Sequence, residues 1–169
     1  LLASSPVSLF LRPVPLTART PVFGSTLGPM AHSAQERQEF LAEPHIGALS
    51  VELGGDSGPL VVPIWYQYAP GEQLWIHTGA ESRKTRAIRK AGRFSLMAQR
   101  VEPTVRYVSV EGAVTGIDPA TPDLAREMAA RYLPAEKVEH FLRVMEEAGE
   151  DVVISMRPER WWSADLGAL

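Results

Sequence analysis

The sequence predicts a closed antiparallel or mixed β-barrel with helices at its periphery, an α+β arrangement. Three observations lead there. Six segments carry strand composition, and most are joined by short turns. Their order is helix, three strands, helix, two strands, two helices, strand, without the regular strand–helix alternation of a doubly wound sheet. At 169 residues, 45% of them hydrophobic and 22% charged, the chain has the length and composition of one domain with a sizeable core.

The first 29 residues stand apart. They hold Arg12 and Arg19 but no carboxylate, and Pro6, Pro13, Pro15, Pro21 and Pro29 stop any long helix. Pro6, Arg12 and Pro13 also interrupt the apolar run that a secretory signal needs. The expectation is a disordered leader, translated from upstream of a natural start at Met30, with an organelle transit peptide as the alternative. Residues 30–169 are expected to be the folded domain.

Within it, Ser33 and Glu36 form a capping box for a helix over Ala34–Ala42, with Phe40 and Leu41 as its buried face and Pro44 after its end. "HIGALSVEL" (45–53) reads as a strand and "GGDSGP" as a turn. "LVVPIWYQYA" (60–69) is β-branched and aromatic, a strand despite Pro63. A proline there implies an edge, a bulge or a ligand-facing position. "PGEQ" turns the chain into the returning strand "LWIHT" (74–78), making a hairpin. Ser82 is the N-cap and Gly92 the stop of a second helix. "RFSLMAQ" (93–99) is a strand, and 104–117 a long one. In the long strand Val105, Tyr107, Ser109 and Glu111 share one face, Arg106, Val108, Val110 and Gly112 the other, with Gly112 a candidate bulge. Thr121 caps a helix with Pro122 at its first position, another helix runs from near Pro134 to before Gly149, and 151–158 is an apolar strand. The tail "ERWWSADLGAL" receives no element.

A net charge of -3 argues against a general nucleic-acid binder. The absence of cysteine excludes disulfides and thiolate metal sites and suits the cytoplasm. No run approaches the ~20 apolar residues of a membrane-spanning helix. No zinc-protease, nucleophile-elbow, P-loop or dinucleotide motif is present, and His32, His45, His77 and His140 have no metal-like spacing.

The strongest feature is the basic helix. Arg83, Lys84, Arg86, Arg89, Lys90 and Arg93 lie within about three turns, with only Glu81 adjacent. Arg83, Arg86, Lys90 and Arg93 fall roughly on one stripe, while Ala87, Ile88 and Ala91 can face the core. A charge run is usually a solvated face, but such faces mix signs and this one does not. Arg83 and Lys84 occupy the first turn, where the helix dipole disfavours each cation by roughly 0.3–1 kcal/mol. Helix-start amides beside Arg and Lys make a site for phosphate or polycarboxylate. Trp65 and Tyr66 are adjacent, so one must leave the barrel interior for a cofactor or a partner subunit, and Trp161 and Trp162 pose the same problem.

Taken in order, "FLAEPHIGALSV", "GPLVVPIWYQY", "LWIHTGAESRKTRAIRKAGRFSLMAQ" and "RYVSVEGAV" resemble the split-barrel flavin and deazaflavin oxidoreductases, similar to pyridoxamine 5'-phosphate oxidase. The resemblance covers about residues 34–165 and implies an FMN-binding split barrel. It implies that Ser82, Arg83 and Lys84 bind the cofactor phosphate. It implies that Val62, Pro63, Ile64 and Trp65 lay backbone along the ring, and that His77 and Thr78 contact the ribityl chain or ring. It also implies that Tyr107, with Arg106, reaches the cofactor from the long strand, and that the site lies between the subunits of a homodimer. The stretch "GPLVVPIW" lacks the Arg and Lys of true pyridoxamine phosphate oxidases, and the tail lacks their substrate motif, which speaks against vitamin B6 oxidation. The pattern looks more like the branch that uses coenzyme F420, whose oligoglutamate tail would suit Arg86, Arg89 and Lys90. The implied function is hydride transfer from a deazaflavin to a small electron-poor acceptor. FMN is the alternative cofactor, and a non-catalytic haem-binding split barrel using His45, His77 or His140 is the alternative class. No side chain need be a catalytic acid; His77 and Tyr107 are the candidates.

Overall fold

The computed structural model describes residues 32–168; the expected leader 1–29 and Met30 lie outside them. The order is α1 (Ala34–Ala42), β1 (Gly47–Val51), β2 (Leu60–Ile64), β3 (Tyr66–Gln67), β4 (Leu74–Gly79), α2 (Arg83–Ala91), β5 (Arg93–Arg100), β6 (Arg106–Pro119), α3 (Pro122–Tyr132), α4 (Ala135–Glu147), β7 (Asp151–Met156) and β8 (Arg160–Asp165), then a 3-10 turn at Leu166–Ala168. No helix among the described residues is long and apolar enough to cross a membrane.

Every strand pair is antiparallel. The hydrogen-bonded path runs β2-β1-β5-β6-β7-β4-β3, with β8 pairing β6 from the side. The path begins and ends on one stretch of chain, residues 60–67. Its first half bonds to β1 (Val62 opposite Leu49) and its second half to β4 (Tyr66 opposite Ile76). The sheet therefore curls back on itself as the split barrel expected from the sequence.

Eight strands replace the six expected, for two reasons. The 60–69 segment breaks at Trp65, where the chain leaves one neighbour and joins another. The tail forms β8, which the sequence reading had left without an element. Trp161 lies opposite Val110 and packs partly against the core, edge-on to Tyr68 at 5.9 Å; Trp162 lies opposite Ser109 and is half exposed. Pro63 sits on β2, at one end of the path, as a strand lacking one donor allows.

The caps behave as their residue types require. Ser33 and Glu36 exchange both bonds of the capping box, and Thr121 Oγ1 accepts from Leu124 N at 3.3 Å. Gly92 ends α2 in the left-handed region at φ 68°. α1 brings Phe40 and Leu41 into the core, which is built on Leu49, Ile76, Ile88, Leu96, Val110 and Ile154. Tyr66 is fully buried, and its hydroxyl donates to Leu41 O at 2.9 Å.

Trp65 does leave the interior, and rings of the α3–α4 hairpin meet it there. It stacks on Tyr132 (centroids 5.0 Å apart, 11° between planes) and packs against Phe141 at 5.1 Å. The Tyr132 hydroxyl accepts from Tyr66 N at 3.1 Å and stands 2.8 Å from Tyr66 O and 3.0 Å from His45 O. Arg131 donates to the carbonyls of Ala42 and Glu43 at 2.7 and 2.8 Å. The α3–α4 hairpin is thus pinned at its turn, over the break in the strand.

Gly112 is not a bulge. The β5–β6 register is regular from Arg93 opposite Ala113 to Arg100 opposite Arg106, and the irregularity of β6 falls between Val114 and Gly116. Gly112 is needed for a close approach instead. A Cβ there would lie 1.7 Å from Arg157 O and 2.8 Å from Met156 Sδ. Gly112→Ala is expected to destabilise the fold by about 3 kcal/mol or more, read from urea unfolding, because backbone cannot move aside as a side chain can.

Burial pushes the His45 imidazole below its ordinary range, more than the carboxylate of Glu43 at 3.3 Å raises it, and burial does the same to His32. The unfolded chain then binds protons more readily than the native one as pH falls through about 6.5. Stability is expected to be full above that value and to decline below it. His45→Gln should flatten part of the slope when unfolding at about pH 7.5 and about pH 5.5 is compared.

Candidate functional site

The start of α2 is wired by hydroxyls. Ser82 Oγ accepts from Thr85 N at 3.2 Å and meets Thr85 Oγ1 at 2.8 Å, and Thr85 Oγ1 donates to Gly79 O at 2.8 Å. Ser82 N also donates to Gly79 O, at 3.1 Å. This arrangement leaves the amides of Arg83 and Lys84 among those that no intrahelical carbonyl can reach. Among the described residues neither side chain has a carboxylate within ion-pair distance. Arg83 is exposed and Lys84 half-buried. Burial lowers the Lys84 ammonium from its ordinary range, and nearby Asp151 opposes the shift.

The remaining cations do not act as one stripe, as the sequence had suggested. Arg86 donates to Glu81 O, and Arg89 reaches Ala80 O at 3.1 Å and Glu81 Oε1 at 3.4 Å. Both fold back to brace the loop that precedes their own helix. Arg93 is neutralised by Glu111 at 3.4 Å and Glu159 at 3.5 Å, partners far away in sequence. Lys90 lies over Gly54, where an added Cβ would be 2.9 Å from Nζ.

Beside this tip the barrel is open. β4 pairs with β3 only through Trp75 and Ile76, so Val62–Trp65 run past His77–Gly79 without ladder bonds. Pro63, Ile64, Trp65 and His77 line one cavity of about 280 Å³ in this gap. Val62 and Pro63 line a second, of about 540 Å³, on the outer face over β1 and β5. Thr78 is not brought there. Alternation along β4 turns its side chain into the core, 5% exposed, while His77 faces outward under the α3–α4 hairpin.

Arg106 and Tyr107 stand elsewhere. They lie on β6, three strands from β2 along the path, roughly 14 Å away at ordinary strand spacing. Arg106 is committed within the chain. Its Nε is 3.0 Å from Asp165 Oδ2, Nη2 joins the same oxygen, and its guanidinium lies 6.0 Å from the Phe40 ring. That contact holds the Asp165 carboxyl below the usual carboxylate range. One chain therefore unites Pro63–Trp65 and His77 around the gap, leaves Val62 on the outer face, places Ser82–Lys84 just beyond the end of β4, and keeps Arg106 and Tyr107 apart from these.

Asp151 escaped sequence reasoning. Its Oδ2 is 3.1 Å from His77 Nε2, with the two side chains 14% and 6% exposed. No local spacing links positions 77 and 151; only the β4–β7 register, with Gly79 opposite Asp151, brings them together. The available signal was a carboxylate at the head of the apolar run "DVVISM". Among the described residues no group of three His, Cys, Asp or Glu side chains could hold a metal ion.

Compared with known proteins, residues 33–165 match the family described as pyridoxamine 5'-phosphate oxidase. No curated protein matches the sequence. Among solved structures, a conserved hypothetical protein of Mycobacterium tuberculosis is similar with TM-score 0.60 and 24% identity, over 80% of this chain and 86% of that one. A structure described as an F420 reductase gives TM-score 0.59 and 24% identity, over 74% of this chain and 94% of that one. An FAD-binding protein of Mesorhizobium loti gives TM-score 0.53 and 18% identity, over 80% and 96%. At these identities the likeness is one of fold.

Lys84→Gln removes a half-buried cation from the positive end of a helix. It is expected to raise the stability of the ligand-free protein by about 0.5 kcal/mol, and to lessen any stabilisation that added phosphate-bearing ligand confers, both read from thermal melts.

Proposed function

The chain belongs to the pyridoxamine 5'-phosphate oxidase family, whose members are flavin-dependent oxidoreductases, and from that premise we propose that it is a coenzyme F420-dependent reductase. It passes a hydride to a small electron-poor molecule and works as a homodimer. The observation that carries this reading is the tip of α2, where unpartnered Arg83 and half-buried Lys84 flank free helix-start amides beside an open gap in the barrel.

That tip suits a phosphate. Ser82 holds the turn, the amides of Arg83 and Lys84 donate, and the two cations supply charge-assisted bonds. Val62 to Trp65 offer the ring a strand edge free of ladder bonds, and His77 closes the far side of the gap. When bound, the reduced deazaflavin supplies the hydride; the chain's part is to hold, orient and shield it.

Tyr107 enters through a partner subunit, while Arg106, on the opposite face of β6 and bonded to Asp165, stays with its own chain. The outer face of β2, β1, β5, β6 and β8 carries Pro63, Ala48, Met97, Ser109 and Trp162 in one row, with Val61 beside them 60% exposed and Trp162 50% exposed. A second copy on this face in two-fold arrangement covers the apolar row and brings its own β6 toward the first copy's gap.

For F420 speak the absence of Arg and Lys from residues 59–65, the uncommitted Lys90, and the likeness in fold to an F420 reductase. One observation favours FMN: Arg86 and Arg89 are spent on the carbonyls of Glu81 and Ala80, which leaves fewer cations for a long anionic tail. Haem fits less well, since His45 stacks on Phe40 at 4.4 Å beside Glu43, and His77 abuts Asp151.

Absorption titrations with F420, FMN and haem decide among these. Saturable F420 binding is expected, weakened at least about 100-fold in the Arg83→Ala, Lys84→Ala double variant, equivalent to about 3 kcal/mol of lost charge-assisted bonding. Unchanged affinity in that variant removes the phosphate assignment. FMN binding far tighter than F420 selects the second cofactor.

A further inference from the structure

A separate cleft opens at the end of β4 far from the α2 tip. Trp75 and Gly79 are four residues apart on that strand, about 13 Å at ordinary rise. The cleft has a volume of about 860 Å³ and lies between α1, the β3–β4 turn and the β7–β8 connection. None of Val62–Trp65, His77 or Ser82–Lys84 lines it. Trp161 on β8 faces away from the outer row that carries Trp162, so this wall is not part of the row assigned to a second copy.

The walls are aromatic. Alternation along β4 sends Leu74 and Ile76 into the core and leaves Trp75 on the other side, opposite Ser155 of β7. Trp161 stands edge-on to the buried Tyr68, with centroids 5.9 Å apart. Both indoles are half-buried. Neither indole N–H makes a hydrogen bond among the described residues, and neither is sealed from solvent.

The polar groups of the cleft are unevenly committed. Gly71 N donates to Gln38 Oε1 at 2.7 Å, and the Tyr68 hydroxyl donates to the same oxygen at 3.1 Å. A backbone N–H can only donate, so Gln38 turns its carbonyl inward and keeps its NH2 in reserve. Gln73 Oε1 likewise accepts from Thr115. Arg157 is fixed through its backbone, since its N donates to Ala113 O at 3.0 Å and its carbonyl packs on Gly112. Its guanidinium is exposed and, among the described residues, has no carboxylate at ion-pair distance. The side-chain acceptors are thus largely used within the chain, and the donors are left over. Glu72, exposed on the turn, and Ser155 are the exceptions.

We infer that this cleft is a binding site for a small organic carboxylate with a flat aromatic body, its charge on Arg157 and its ring against Trp75 and Trp161. The class follows from the imbalance. A ligand that faces surplus donors must accept, and the planar fork of a guanidinium matches a carboxylate. A sugar, whose hydroxyls donate as readily as they accept, would leave the surplus unmet. Indole walls favour a ring, stacked or edge-on. The volume falls within the about 300–1,000 Å³ of small-molecule sites. Glu72 opposes the anion from the turn and limits its affinity. The site shares no residue with the coenzyme reading and stands without it.

The test is calorimetric titration of the full chain, without coenzyme, with 2-naphthoate, with its neutral isostere 2-acetonaphthone and with acetate. Wild type is expected to prefer 2-naphthoate to each of the others at least about ten-fold. Arg157→Gln, a change at an exposed side chain, should erase the preference over the ketone and keep ketone binding. Trp75→Leu should weaken both naphthalenes at least about five-fold. Glu72→Gln should strengthen 2-naphthoate alone. In nitrogen–proton NMR of wild type, the two indole signals that vanish in Trp75→Phe and in Trp161→Phe should move with 2-naphthoate, while those of Trp65 and Trp162 stay. The Arg83→Ala, Lys84→Ala variant should bind 2-naphthoate as wild type does, so a failed coenzyme assignment and a failed cleft are read in different proteins. The proposal is overturned by equal affinities in wild type, by a preference that survives Arg157→Gln, or by ketone binding untouched in Trp75→Leu. Weaker naphthoate binding in Glu72→Gln, its loss in the Arg83 and Lys84 variant, or signal shifts confined to Trp65 and Trp162 overturn it equally.

Discussion

One stretch of backbone has to serve two neighbours. Residues 60–64 give their ladder bonds to β1, and Tyr66 and Gln67 give theirs to β4. A regular strand cannot do both, so the chain breaks at Trp65 and its polar groups need another partner there. The Tyr132 hydroxyl supplies it, bonding Tyr66 N and facing Tyr66 O and His45 O, while its ring stacks on Trp65. The remaining features follow from this junction. The barrel closes because one segment belongs to both ends of the sheet. The gap exists because β2 and β4 part at the break. The helical hairpin sits over the gap because Tyr132 is part of it.

Charge is handled differently at the two ends of α2. Toward its C-terminus the dipole favours Arg89 and Lys90. At its N-terminus no acidic residue offsets Arg83 and Lys84, and the helix forms because the Ser82–Thr85–Gly79 hydroxyl relay and the braces from Arg86 and Arg89 hold the turn in place. The cost of two cations at a positive helix end is offset by these hydrogen bonds.

Local signals were legible in the sequence. The capping box at Ser33, the stop at Gly92, the Thr121 cap and the alternation of β6 are decided by residues within a few positions of one another, and each element lies where those residues put it. What eluded the sequence depends on chain segments far apart. Gly112 reads as a bulge until Arg157 is seen against it. The tail receives no element from its sequence because β8 has only β6 as a partner, and Arg106–Asp165 spans 59 residues. At the candidate site, the Ser82 cap with Arg83 and Lys84 in the first turn was readable, but their standing apart from Arg86, Arg89 and Arg93 was not, because the partners of Arg93 come from β6 and the segment before β8. His77 was singled out and Asp151 was not, since only strand register joins them.

β7 lies between β6 and β4 in the sheet although it comes late in chain order. Until the ribosome has delivered residues 151–156, no ladder joins β6 to β4, and the edges of both meant for β7 stay bare. Such edges invite pairing with other nascent chains. Closure is then a late, long-range event that follows synthesis rather than accompanying it. A cell making this protein quickly has reason to keep those waiting edges apart.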